Sequence, residues 1–134
     1  MADTEGWKFL HAESDGADWT QGLRKIMDYR DLGTKDATNG QFVAHIIRRN
    51  DLEEHDEVAE WHVHDCDFQF VYVLKGWAKF EFEGEGVRTL KAGDGINQRP
   101  GIKHREIELS DDYEVLEIVS PADFGTRLVD PPEG

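Results

Sequence analysis

Apolar residues along this chain gather in short runs, not in helical stripes. Phe42-Val43-Ala44-His45-Ile46-Ile47 is apolar and β-branched, bounded by Asn39-Gly40 before it and Arg48-Arg49-Asn50-Asp51 after it, and predicts a strand. A second strand is predicted over Ala59–His64. The third, Phe68–Lys75, is the clearest, because Phe, Phe, Val, Tyr, Val and Leu crowd into it before Gly76. Trp77–Glu83 alternates Trp, Lys and Glu against Ala, Phe and Phe, and Gly84 and Gly86 bracket a turn after it. Val87–Lys91, Gly95–Gln98, His104–Leu109 and Tyr113–Ser120 follow at short intervals. Turn residues part them at Ala92-Gly93-Asp94, Arg99-Pro100-Gly101 and Ser110-Asp111-Asp112. No helical run separates these segments, so the pattern predicts an all-β sandwich or barrel. Residues 17–36 are ambiguous. Leu23, Ile26 and Met27 recur at near-helical spacing, a short strand with a turn fits as well, and at most one helical turn is assigned. The ends, Met1–Gly6 and Asp130–Gly134, are polar or rich in proline and glycine and are expected to be loose.

Composition narrows the class. With 134 residues the chain has room for one ordinary core, and 38% hydrophobic residues suffice to build it. Fifteen basic against 29 acidic residues give a net charge of −14, a field that repels nucleic-acid phosphates and anionic lipid surfaces. No nucleic-acid or membrane partner is therefore expected. Cys66 is the single cysteine, which forbids an intrachain disulfide and suits a reducing compartment. The N-terminus carries no basic segment followed by an apolar run, and the longest apolar stretch, Phe70–Leu74, is too short to span a bilayer. A soluble, cytoplasmic protein is expected.

Among the six histidines, His62 and His64 stand out. They lie two apart in a strand-like segment, so their imidazoles share a face and can reach one metal ion. Spacing alone leaves open an exposed strand face carrying two histidines by chance. Downstream, His62-x-His64-x4-Gln69-x6-Gly76 is followed, after sixteen residues, by Gly93-x5-Arg99-Pro100-Gly101-x2-His104-x3-Glu108. This pair of segments resembles the two signature motifs of the cupin superfamily, G-x5-H-x-H-x3-4-E-x6-G and G-x5-P-x-G-x2-H-x3-N. The resemblance implies a double-stranded β-helix, or jelly-roll, barrel with a short irregular or helical N-terminal segment. It implies one cupin domain over residues 1–134, with the core at about 41–120. It also implies that His62, His64 and His104 are metal ligands at the barrel mouth, with Gln69 in the position of the acidic ligand. One divalent transition-metal ion per chain is expected, iron first, with zinc, nickel, manganese or copper as alternatives.

The chain departs from the pattern at Asp56 (for the first glycine), Arg99 (for the proline), Glu108 (for the final asparagine) and Gln69. The last matters most. An amide offers the ion a dipole where a carboxylate would offer a charge, so the ion keeps its full charge and favours an anionic substrate or a bound hydroxide. Gln69 either coordinates through its oxygen or turns its NH2 toward a ligand. Another acid could serve in its place. If His104 points inward, alternation brings Glu106 and Glu108 to the same face; a bulge that serves Ile107 and Leu109 would instead send the acids to solvent. Glu106 and Gln69 are thus the candidate catalytic residues. Tyr72 and Trp61 are candidate pocket walls, Arg99 a candidate carboxylate clamp, and His45 a hydrogen-bonded pocket or core histidine. Cys66 is expected to be a small buried hydrophobe, and His11 and His55 to be on the surface.

Three histidines without a carboxylate in an apolar barrel suit a dioxygenase-like enzyme acting on a small, oxygen-rich, chelating metabolite. The alternatives are a non-catalytic binding protein and a metal-independent isomerase or lyase. Open jelly rolls have edges to cover, and small cupins resemble one another in forming homodimers. A homodimer through part of residues 7–48 is expected.

Overall fold

The computed structural model describes residues 4–21, 26–50 and 59–133. His55 and Asp56 lie outside the described residues, as does Leu23. Short β-branched and aromatic runs separated by turns become strands: β1 (Thr20–Gln21), β2 (Met27–Asp31), β3 (Val43–Arg49), β4 (His62–Asp65), β5 (Phe68–Lys75), β6 (Trp77–Phe82), β7 (Gly86–Lys91), β8 (Gly95–Asn97), β9 (His104–Leu109), β10 (Glu114–Ser120) and β11 (Gly125–Leu128). One helical turn, α1 (Thr34–Ala37), precedes β3. The strands form two antiparallel sheets, in the orders β1-β2-β3-β10-β5-β8 and β11-β4-β9-β6-β7, the halves of a jelly-roll barrel. No helix among the described residues is long and apolar enough to cross a membrane.

The strands expected from Phe68 and His104 have those bounds, while β4 starts at His62, three residues later than expected. Three elements are additions: β1 and β2, in the ambiguous stretch, and β11, just ahead of the tail. β2 pairs with β3, and β11 with β4. The two halves of the five-stranded sheet meet sparingly, for β4 joins β9 through a single register pair, His62 with His104.

Inward positions of the six-stranded sheet alternate along each strand and build two apolar clusters. Ile47, Val71, Val73 and Val115 belong to the larger, with Met27, Ala78, Leu90, Leu109 and Tyr113. Val43, Val119 and Ala122 form the smaller, with Cys66 and Phe124 packed on it. The inward positions between the two clusters are polar: His45 lies between Val43 and Ile47, and Glu117 between Val115 and Val119. Gly76 turns β5 into β6 at φ +70°. A Cβ there would strike Ser110 Oγ and stand 2.5 Å from Asp112 Oδ1.

Candidate metal centre and its polar wall

His62 and His64 project from one face of β4, as their spacing requires, and His104 opens β9 beside them. The ring centroids of His62 and His104 are 4.2 Å apart, and His64 lies 5.0 Å from each. The three imidazoles offer ligand nitrogens that all lie within 4.8 Å of one another. Two nitrogens sharing an ion with bonds of about 2.1 Å stand at most roughly 4.2 Å apart, so small ring rotations suffice.

Each ring has its other nitrogen engaged. His62 Nδ1 lies 2.8 Å from the Glu60 carbonyl, and His104 Nδ1 lies 3.0 Å from that of Ile102. A carbonyl only accepts, so both Nδ1 atoms donate, and the lone pair of each neutral ring falls on Nε2. His64 Nδ1 meets the Thr126 hydroxyl at 2.8 Å. Thr126 lies on β11, which is tied to β4 by Arg127 Nε donating to Asp65 Oδ2 at 2.9 Å and Nη2 to Oδ1 at 3.0 Å. Burial, with His62 beside it, pushes the His104 imidazole down to about 3, so it is neutral at physiological pH. The donor set fits a divalent transition ion: three imidazoles, two of them 2% exposed, each oriented by a second hydrogen bond.

Sequence reasoning missed Glu117. It stands directly across from His45 in the β10–β3 register, and its Oε1 receives the His45 Nε2 contact at 2.6 Å. Its Oε2 accepts from Gln69 Nε2 at 3.0 Å. Burial pushes the Glu117 carboxyl up, but His45 and Gln69 together outweigh it and hold it below the usual carboxylate range. His64 lowers it further, and Glu117 in turn acts on His104, so this wall and the histidines share one electrostatic environment. The signal in the sequence was His45 itself, a histidine in an apolar strand that needed a buried partner.

The other expected residues divide. Gln69 is inside, 3% exposed, with its amide nitrogen committed to Glu117. Glu106 is also inside at 7%, whereas Ile107 is 46% exposed. A bulge at Ile107, skipped in the pairing with β6, keeps both Glu106 and Leu109 facing in, so the choice between the acids and the apolar residues does not arise. Tyr72, an expected pocket wall, sits on the outward face of β5 and is 41% exposed, because it alternates against the inward Gln69, Val71 and Val73. Trp61 precedes β4 and lies under the Arg105 guanidinium at 5.3 Å. Arg99 is an exposed turn residue paired with Glu83 at 3.6 Å. The half-buried Cys66 packs on the smaller apolar cluster, and burial raises its thiol pKa. Two surface hollows, of about 360 and 490 Å³, are lined by other residues than the histidines, one around Arg30 and one around Lys103 and Leu128.

A family model described as "Cupin domain" matches residues 50–119. Among solved structures, KdgF from Halomonas sp. superposes with a TM-score of 0.62 at 24% identity, covering 81% of this chain and 92% of that one. The polyketide cyclase RemF from Streptomyces resistomycificus superposes at 0.67 and 18% identity, covering 94% and 87%. The iron(II) form of HppE superposes at 0.61 and 16% identity, covering 87% and 62%. At these identities the likeness is one of fold. A comparison with curated proteins finds no match.

Proposed function

The chain belongs to the cupin family, and from that premise we propose that it is a metal-dependent enzyme acting on a small, oxygen-rich, chelating metabolite. His62, His64 and His104 hold one divalent ion, iron first, and the Glu117–His45 pair handles a proton. The observation that carries the reading is the convergence of three oriented imidazoles with a buried carboxylate–imidazole pair in the same barrel.

A bound ion supplies Lewis acidity toward a carbonyl or carboxylate oxygen, and iron adds one-electron chemistry. Glu117 is kept ionised by His45 and Gln69, which makes it a weaker base than a free carboxylate but a standing acceptor for a substrate proton whose acidity a bound ion would raise. His45 holds that carboxylate in place and stabilises its charge. With its nitrogen donating to Glu117, Gln69 has its oxygen as the atom to turn toward the ion. Glu106, the next inward position after His104, is a second buried acid. A base of this kind favours proton transfer, as in a lyase, isomerase or cyclase. The dioxygenase reading stands second, supported by the apolar clusters on either side of the polar wall and by the fold shared with iron(II) HppE. A homodimer through part of residues 7–48 and a cytoplasmic setting belong to the same proposal; light scattering decides the first.

Elemental analysis of tag-free protein beside His62→Ala and His104→Ala tests the metal. Near one first-row ion per chain, lost in both variants, is expected. No ion even after anaerobic loading overturns the reading. Turnover of hydroxy acids, enediols, β-diketones or catechols without O2 supports proton transfer, O2 uptake supports the dioxygenase, and activity that survives a chelator returns the histidines to metal-free chemistry.

A further inference from the structure

We propose that Gln98 is a hydroxyl-recognition residue of this barrel, and that the bound molecule is a chelating carboxylic acid bearing a further hydroxyl. The proposal rests on the metal-dependent reading above.

Gln98 is 7% exposed, and its Oε1 is buried with no hydrogen-bond partner among the described residues. Its place in the fold points it at the polar wall. Phe70 pairs with Asn97, and the Gln98 N–H donates to the Gln69 carbonyl at 3.0 Å, so the ladder runs one step past the end of β8. Gln98 is thereby the cross-strand neighbour of Gln69 on the same face of the sheet. Ile96, two residues earlier, packs into the core and marks that face as the inner one. The polar wall thus crosses four adjacent strands, from His45 through Glu117 and Gln69 to Gln98. The chain then crosses to the other sheet and reaches His104.

A buried carboxamide oxygen is an acceptor that proteins seldom leave unmatched. Gln69 does not serve it in this structure: its amide nitrogen donates to Glu117, and its second N–H makes no bond to Gln98. The missing donor is assigned to the ligand. An ammonium is disfavoured beside a divalent ion, whereas a hydroxyl is neutral and donates. The other end of the ligand follows from the metal set: three imidazoles and an amide leave the ion's charge uncancelled and favour a carboxylate.

The test uses the full chain loaded with cobalt(II), whose visible spectrum reports ligands entering the metal. Calorimetric titration compares lactate, glycerate and threonate, which share the 2-hydroxy acid head; lactate lacks the further hydroxyls. At least one of the hydroxylated pair is expected to bind about tenfold more tightly than lactate, the worth of one hydrogen bond. In Gln98→Met that advantage is expected to vanish while lactate binding stays the same. Equal affinities in the native protein, or an advantage that persists in Gln98→Met, overturns the proposal alone. No cobalt uptake overturns the metal reading and the proposal with it. Thermal melting of ligand-free Gln98→Met adds a fold control: an unchanged or higher Tm is expected, and a fall of several degrees would assign the oxygen a structural partner (a trapped water) and overturn the proposal.

Discussion

Replacing Glu117 by leucine removes the acceptor of two hydrogen bonds at once, at 2.6 Å from His45 and 3.0 Å from Gln69. Its side chain is 14% exposed, as is that of His45, so water replaces little of what is lost. Hydrogen bonds to a charged group contribute about 1.5–3 kcal/mol each. The leucine recovers up to about 1.5 kcal/mol by apolar burial. The net loss is roughly 3 kcal/mol, or a fall of roughly 10 °C in Tm for a chain of this size. His45→Leu should cost a similar amount, because it strands the carboxylate. The double variant removes both sides of the pair and leaves only the Gln69 amide short of an acceptor. It should lose no more than either single variant, a coupling of about 3 kcal/mol. Urea unfolding of metal-free protein at pH 7, followed by tryptophan fluorescence, measures all four corners of the cycle. Additive losses, or a Glu117→Leu cost below about 1 kcal/mol, would refute the buried pair and with it the base assigned above.

Acid should destabilise the metal-free protein in two stages. His104 titrates near 3 when folded against 6.5 ordinarily, so the unfolded chain takes up the proton first, and stability falls as pH drops from 6.5 toward 3. The slope is up to about 1.4 kcal/mol per pH unit. Glu117, held below its ordinary 4.5, adds a loss under that pH; urea midpoints should show His104→Gln abolishing the first stage only. Gly76→Ala forces a methyl against Ser110 and Asp112 at positive φ and should cost about 3 kcal/mol or more. Gly84→Ala, at φ +78° with nothing within 4 Å, should cost about 1 kcal/mol, and chemical denaturation separates the two. Thr126→Val removes the hydroxyl that orients His64 and should weaken metal binding about tenfold, with Thr126→Ser restoring it in a chelator competition assay.

Hydrophobic pattern reached the parts of this fold that bury a face. β5 was legible because Val71 and Val73 sink inside while aromatic residues cover its other side. β11 was not, since all four of its residues are exposed; backbone pairing and the Arg127–Asp65 pair hold it to β4, and no apolar alternation announces it. β2 offers only Met27 and Tyr29 inward among charged neighbours. The same logic divides the site. His62 and His64 sit two apart in sequence, so their shared face needs no tertiary information. Glu117 was hidden because β10 is apolar on both faces, Val115 and Val119 inside and Leu116 and Ile118 outside, which leaves its direction undecided until β3 brings His45 opposite. Glu106 followed from plain alternation with His104, whereas the inward turn of Leu109 depended on the bulge at Ile107, and an extra residue in one strand has no signature in that strand's own sequence.

With a single register pair between β4 and β9, metal binding at the three histidines would make cohesion of the five-stranded sheet and occupancy of that site one equilibrium. The ribbon of β4 and β11 hangs on the rest of its sheet at His62 and His104, the same side chains that an ion would bridge. An ion there would act as a rivet across a seam. Its binding free energy would go into closing that seam, and its release would loosen the ribbon before the β6–β7–β9 side gives way. Amide exchange in residues 62–65 and 125–128 would then read metal occupancy directly, and the rate of ion loss would be set by the opening of that two-stranded ribbon.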